Sequence, residues 1–122
     1  MPFREPSLAL QDIADAIAAI HQFTQEMDAV AFHSDAKTIA AVERKLLVIS
    51  EAAVRLGDQA EMLCPGLPWR DIRGIGNWLR HQYDRVDAQA VWRTVSNDLP
   101  RLESAVARAL LSFPQCFELI AE

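Results

Sequence analysis

The sequence predicts an all-α fold, a helical bundle of about five helices, and three observations carry that reading. Alanine dominates an apolar fraction of 51%, which favours closely packed helices over sheets. Apolar residues recur in steps of three and four over long stretches, the mark of helix faces that bury one side. The strands that an α/β fold would need are absent. With 122 residues the chain has the size of one domain with its own core. No repeat, low-complexity tract or linker divides it, so residues 1–122 are expected to form a single domain.

The first helix is predicted from about Ser7 to Val30, with Ile13, Ile17, Ile20 and Met27 on one stripe and Ser7 as a plausible N-cap behind Pro6. A turn at Phe32-His33-Ser34 follows, where Ser34 or Asp35 can cap the next helix. The second helix has the cleanest pattern: Ile39, Val42, Leu46, Ile49, Ala53, Leu56, Ala60 and Leu63 alternate steps of three and four without a break. Cys64-Pro65-Gly66-Leu67-Pro68 is the strongest punctuation in the chain. Pro68 then suits the start of a third helix, because a first turn leaves its N–H groups unpaired anyway. Trp69, Ile72, Ile75 and Leu79 give that helix its buried face. Asp87 can cap a short fourth helix carrying Val91 and Val95. Asp98-Leu99-Pro100 is expected to start a fifth, with Leu99, Leu102, Val106 and Phe113 inward.

Several function classes are disfavoured from the start. The longest apolar runs are too short to span a bilayer, and Met1 to Leu10 lacks the basic start and apolar stretch of a signal peptide, so the cytoplasm is the expected compartment. Cys64 and Cys116 have no CxxC spacing and no histidine at ligand distance, and both read as small hydrophobes. The net charge of −5 argues against a nucleic-acid partner, but the charge is unevenly spread. From Gly66 to Arg108 seven arginines stand against five acidic residues, and the rest of the chain is strongly acidic. Arginine's planar fork suits phosphate and carboxylate better than lysine's point charge does, although arginines that merely solvate helix faces would look the same.

Chemistry is concentrated in Arg73-Gly74-Ile75-Gly76-Asn77-Trp78-Leu79-Arg80-His81-Gln82-Tyr83. His21 and His33 stand alone in the sequence, whereas His81 ends the third helix. Helical steps put Arg73, Asn77, Arg80 and His81 on one polar, cationic face. Gly74 and Gly76 each cost the helix about 1 kcal/mol relative to alanine, which points to a close backbone approach by another helix or a ligand. An imidazole beside guanidinium groups suits phosphodiester chemistry: the histidine moves protons while arginine stabilises the charge that builds on phosphorus oxygens. With RNA the nucleophile can be the substrate's own 2′-hydroxyl, so neither metal nor cofactor is required. Taken alone, the same residues also describe a helix end with a solvated histidine.

Pro68-Trp69-Arg70-Asp71-Ile72, Asn77-x-x-x-His81-x-Tyr83, Val86-Asp87, Val91-Trp92 and Asp98-Leu99-Pro100-x-Leu102, with Ile49-Ser50-Glu51-Ala52-Ala53 upstream, resemble the HepT-like branch of the HEPN family. The resemblance covers the chain from about Leu8 to Leu111. It implies a five-helix domain that forms a homodimer. It also implies a metal-independent ribonuclease toxin paired with a minimal nucleotidyltransferase antitoxin, which silences it by adenylylating a tyrosine. The family motif is an arginine, four to six residues, a histidine, one residue and a tyrosine. His81 matches the histidine and Tyr83 the tyrosine. The sequence departs at the arginine, whose place directly before Asn77 is taken by Gly76; Arg73 is one residue too distant and Arg80 far too close. The resemblance thus makes His81 the candidate acid/base, Arg73 or Arg80 the candidate phosphate clamp, Asn77 and Arg85 candidate substrate contacts, and Tyr83 the candidate modification site. A catalytically reduced relative that only binds a nucleotidyltransferase is the competing expectation, and a purely structural helical dimer is a third.

Overall fold

The computed structural model describes residues 5–81 and 87–113, which form helices and turns with no strand among them. Seven α-helices follow in order: α1 (Pro6–Phe23), α2 (Ala29–His33), α3 (Ala36–Leu56), α4 (Gln59–Leu63), α5 (Trp69–Arg80), α6 (Ala88–Arg93) and α7 (Leu99–Leu110), with a single π-helical turn, Thr94–Asp98, joining the last two. The expected helix faces are present. The core is built where α3 packs against α1 and α5, and α1 against α7. Leu10, Ile13, Ile17 and Ile20 of α1 meet Val42, Leu46 and Ile49 of α3, with Trp69, Val91 and Val106 closing the interior. No helix among the described residues is long and apolar enough to cross a membrane.

The two long predicted helices are each broken once. α1 stops at Phe23 instead of continuing to Val30: the chain turns after Thr24, and Glu26 adopts a left-handed φ of 64° that no helix accommodates. Met27, in phase with the stripe, is therefore half-buried from a turn. The chain re-enters helix at α2, capped by Asp28, whose carboxylate accepts from the Ala31 N–H at 2.8 Å. Phe32 consequently lies inside a helix and is fully buried, its ring 5.0 Å from that of Trp92. The second predicted helix breaks at Gly57, where φ is +56°. Glycine reaches that region without the steric penalty other residues meet. Ala60 still points inward from the short α4 beyond it.

Caps differ in the same local way. Ser7 is not the cap of α1; the helix begins one residue earlier with Pro6 at its first position, where a missing N–H costs nothing. Asp35 caps α3 by accepting from the Thr38 N–H at 3.0 Å, and Asp87 caps α6 by accepting from the Ala90 N–H at 3.1 Å. Asp98 caps nothing, because the chain does not leave the helix there. Pro100 cannot donate to the carbonyl one turn back, and just before it the Leu99 N–H reaches to Thr94, five residues away.

Trp69 fastens the start of α5. Its side chain is 1% exposed, and its indole N–H donates to the Cys64 carbonyl at 2.8 Å. Burial pushes the thiol of Cys64 up from its ordinary value, and that thiol lies 3.6 Å from the Ala105 carbonyl, consistent with a small core residue. Cys116 lies outside the described residues.

Trp69→Ala is expected to lower the unfolding free energy by about 3–5 kcal/mol. Trp69→Phe keeps a ring but deprives the Cys64 carbonyl of its donor, for about 1–3 kcal/mol; urea denaturation measures both. Asp35 offers a second check, since the Thr38 N–H holds its carboxyl below the ordinary 3.8. A folded value lower than the unfolded one stabilises above the unfolded value, and that contribution is lost as pH falls through the folded value. Asp35→Asn keeps an accepting oxygen without the titration, so its stability should decline less steeply in acid than that of the wild type.

Candidate functional site

Polar chemistry gathers where α5 crosses α3. Ser50 is the only buried polar side chain among the described residues, at 2% exposure. Its hydroxyl donates to the Arg73 carbonyl at 2.8 Å and accepts from the Gly76 N–H at 3.0 Å. One side chain of α3 thus bonds the backbone of α5 twice within a single turn. A Cβ on residue 76 would stand 3.2 Å from both Ser50 Oγ and Leu47 Cδ1, closer than carbon normally comes. Glycine at 76 therefore answers to helix packing, as one of the two expected explanations holds.

Arg80 lies one turn beyond Gly76 on the same side of the helix, and helical side chains lean toward the N-terminus. Its guanidinium accordingly folds back over the glycine: Arg80 Nη1 stands 3.6 Å from where a Cβ of residue 76 would be. Between these residues, Arg73 and Leu47, Glu51 and Val54 of α3 lies a shallow depression of about 160 Å³.

Arg73 also borders this depression, but its guanidinium is engaged elsewhere. Nη2 donates to the Gly57 carbonyl at 2.8 Å and to Glu61 Oε1 at 2.6 Å. The pairing holds the Glu61 carboxyl below its ordinary range and raises the guanidinium further. Arg73 thereby ties α5 to the corner between α3 and α4, as a structural fastener.

His81 terminates α5, its backbone N–H returned to the carbonyls of Asn77 and Trp78, both at 3.2 Å. Asn77, Arg80 and His81 are exposed, and among the described residues none of their side chains has a hydrogen-bond partner. Successive residues turn about 100° around a helix. Arg80 thus leans to the α3 side, while His81 and Asn77 sit further round, at the seam between that side and the one facing α6. Tyr83 and Arg85 lie outside the described residues. His21, which stood alone in the sequence, pairs with Glu103 of α7 at 3.1 Å on the surface, and His33 is exposed at the end of α2.

The arrangement unites, at one helix end, an imidazole and a guanidinium without side-chain partners among the described residues, donors suited to an anionic oxygen and a group able to move a proton. Sequence reasoning from the residues alone missed Ser50 as the organiser. Its signal was a hydroxyl set directly beside Ile49 on an otherwise apolar helix face.

The sequence compares with known proteins as follows. The family described as "Ribonuclease HepT-like" matches residues 13–109, from the first turns of α1 into the last turn of α7. A protein of Thermococcus cleftensis named "Probable ribonuclease HepT" is 39% identical over 94 residues, 77% of this chain and 86% of that protein. Two proteins of Methanocaldococcus jannaschii with RNase in their names are 32% identical over 103 residues and 28% identical over 106 residues. The first alignment covers 84% of this chain and 89% of the relative, the second 87% and 97%. No solved structure matches the chain. With a family match across most of its length and relatives similar over nearly their whole chains, this chain belongs to the HepT-like ribonuclease family.

Proposed function

We propose that the protein is a metal-independent endoribonuclease, with His81 as acid/base and Arg80 in place of the arginine that the family motif carries at position 76. The single observation behind this reading is the Arg80 guanidinium folded over Gly76. A charge lost from one position of α5 is returned to the same patch by a side chain from the next turn. In the reaction the RNA 2′-hydroxyl attacks the adjacent phosphorus as His81 takes its proton. The P–O5′ bond then breaks and the leaving oxygen is reprotonated, which leaves a 2′,3′-cyclic phosphate and a 5′-hydroxyl end. Arg80 stabilises the charge on the non-bridging oxygens, and Asn77, with Arg85, holds the strand.

The same reading takes the protein as a cytoplasmic toxin that works as a homodimer, with a basic cleft around α5 at the subunit interface. A minimal nucleotidyltransferase is its antitoxin and adenylylates Tyr83, two residues beyond His81. Such a modification would add a phosphate and an adenosine two residues along the sequence from His81 and so block the nuclease.

One observation favours the alternative, a catalytically reduced protein that serves only as partner of the nucleotidyltransferase. Arg73 is held by Glu61 and Gly57, which leaves Arg80, among the described residues, as the untethered guanidinium on the α3 side of α5.

Cleavage of a mixed RNA in excess EDTA separates the two, with Tyr83 first verified as unmodified by mass spectrometry. Wild-type protein should leave 2′,3′-cyclic ends and His81→Ala should abolish cleavage. Arg80→Ala should slow it by about 10²–10³-fold, the effect of removing one charge-stabilising donor. Arg73→Ala should instead lower the melting temperature and spare most of the rate. Inert wild-type protein would sink the nuclease reading and leave partner binding. Incubation with the nucleotidyltransferase and ATP should add one adenylyl group to the wild type and none to Tyr83→Phe.

A further inference from the structure

Gly76 is accounted for by α3, but Gly74 is not. It sits in the middle of α5, in ordinary right-handed backbone, where a glycine costs about as much as it does at 76. Among the described residues a Cβ there would meet nothing within 4 Å, and none of them requires residue 74 to be small.

What Gly74 does border is an open groove between α5 and the α6 side of the molecule, about 500 Å³ in volume. Arg70, Gly74 and Trp78 form one wall at steps of four along α5, and Ala90 and Thr94 form the other. The groove therefore presents a guanidinium at one end, bare helix backbone in the middle and a half-buried indole at the other end. Asp71, about 100° around the helix from Arg70, and Ile75 also line the groove. Residue 81 follows Trp78 by one short turn and returns to the side of Arg70 and Gly74, so the groove leads to His81.

These are the parts of a single-stranded nucleic-acid track: a cation for a phosphate, an aromatic face for a base, and a smooth floor on which the backbone can lie close. Both walls belong to the arginine-rich stretch of the sequence, and within the groove itself Asp71 balances Arg70, so the phosphate contact is a local one. We propose that this groove binds single-stranded RNA, one base stacked on Trp78 and a neighbouring phosphate on Arg70, with the strand crossing Gly74. The assignment rests on RNA as the substrate in the reading above and extends it. The strand arrives along the α6 side of α5, meets His81 at the seam, and receives Arg80 from the α3 side.

The test is equilibrium binding of a fluorescein-labelled single-stranded oligoribonucleotide to His81→Ala protein, which removes cleavage from the readout. Gly74→Leu puts a branched side chain into the groove from a Cβ that meets no described neighbour, and it improves helix propensity, so its melting temperature should not fall. Its RNA affinity should drop about tenfold or more, the scale of one lost stacking contact. Gly74→Ala should bind nearly as the parent does. Arg70→Ala should weaken binding and reduce the salt dependence by about one counterion. Unchanged affinity in Gly74→Leu overturns the proposal while leaving RNA as substrate intact. A changed oligomeric state of Gly74→Leu in light scattering, with RNA affinity preserved, also overturns it and assigns the groove to contact between copies. A parent that binds no RNA defeats the groove and the nuclease reading together.

Discussion

Ser50 sets how near α3 and α5 lie, and everything at the site follows from that distance. A hydroxyl that donates to one carbonyl of α5 and accepts from an N–H three residues later can do so only if the two backbones almost touch. That approach crowds any side chain at residue 76, whose Cβ would press on Ser50 Oγ and Leu47 Cδ1. A glycine there opens space along the helix, and the Arg80 guanidinium lies across it. A buried polar group fully satisfied in this way does more than fill volume: its directional bonds fix the register of α5 along α3 where apolar contacts alone would tolerate sliding. His81 at the end of α5 inherits its place from that register.

The site has two flanks that share one helix. Toward α3, α5 offers Arg80 above Gly76; toward α6, it offers Arg70, Gly74 and Trp78. His81 and Asn77 lie between. A helix end suits this division, because the last turn exposes side chains on both sides before the chain departs. Arg73 and Glu61 stabilise the corner behind the site, and their pairing removes one guanidinium from the set that could face a substrate.

Much of this was legible in the sequence, for reasons that also explain what was not. The stripes of α1, α3, α5 and α7 followed from apolar spacing, because burial of one face is a property of consecutive residues. The breaks did not follow. Met27, Ala60 and Leu63 keep the helical phase after the helix has ended, so the pattern runs straight through the turns at Thr24 and Gly57. The sequence offers Arg73 or Arg80 as the phosphate clamp, and the pairing of Arg73 with Glu61 does not show in a spacing that runs unbroken past Gly57. Arg80 was judged too close to His81 along the sequence, yet its position relative to Gly76 decides where its charge goes. The two glycines of α5 looked alike as letters and differ in what surrounds them.

The wide turn between α6 and α7 carries a consequence for how this chain can vary. Val91, Val95 and Leu99 follow one another at steps of four, and two such steps would carry a regular helix about 80° off its face. The loosened turn absorbs that drift, so all three remain buried. It is in effect one surplus residue stored within a helix. A chain shortened by one residue between Thr94 and Asp98 would still read as a good helix. Val91 and Leu99 would then stand seven residues apart, within about 20° of one face of a regular helix, so α6 would keep its facing relative to α7 while the wide turn closed. The stretch can thus lose its surplus residue without turning α6 relative to α7, whereas one further residue would carry the two out of phase.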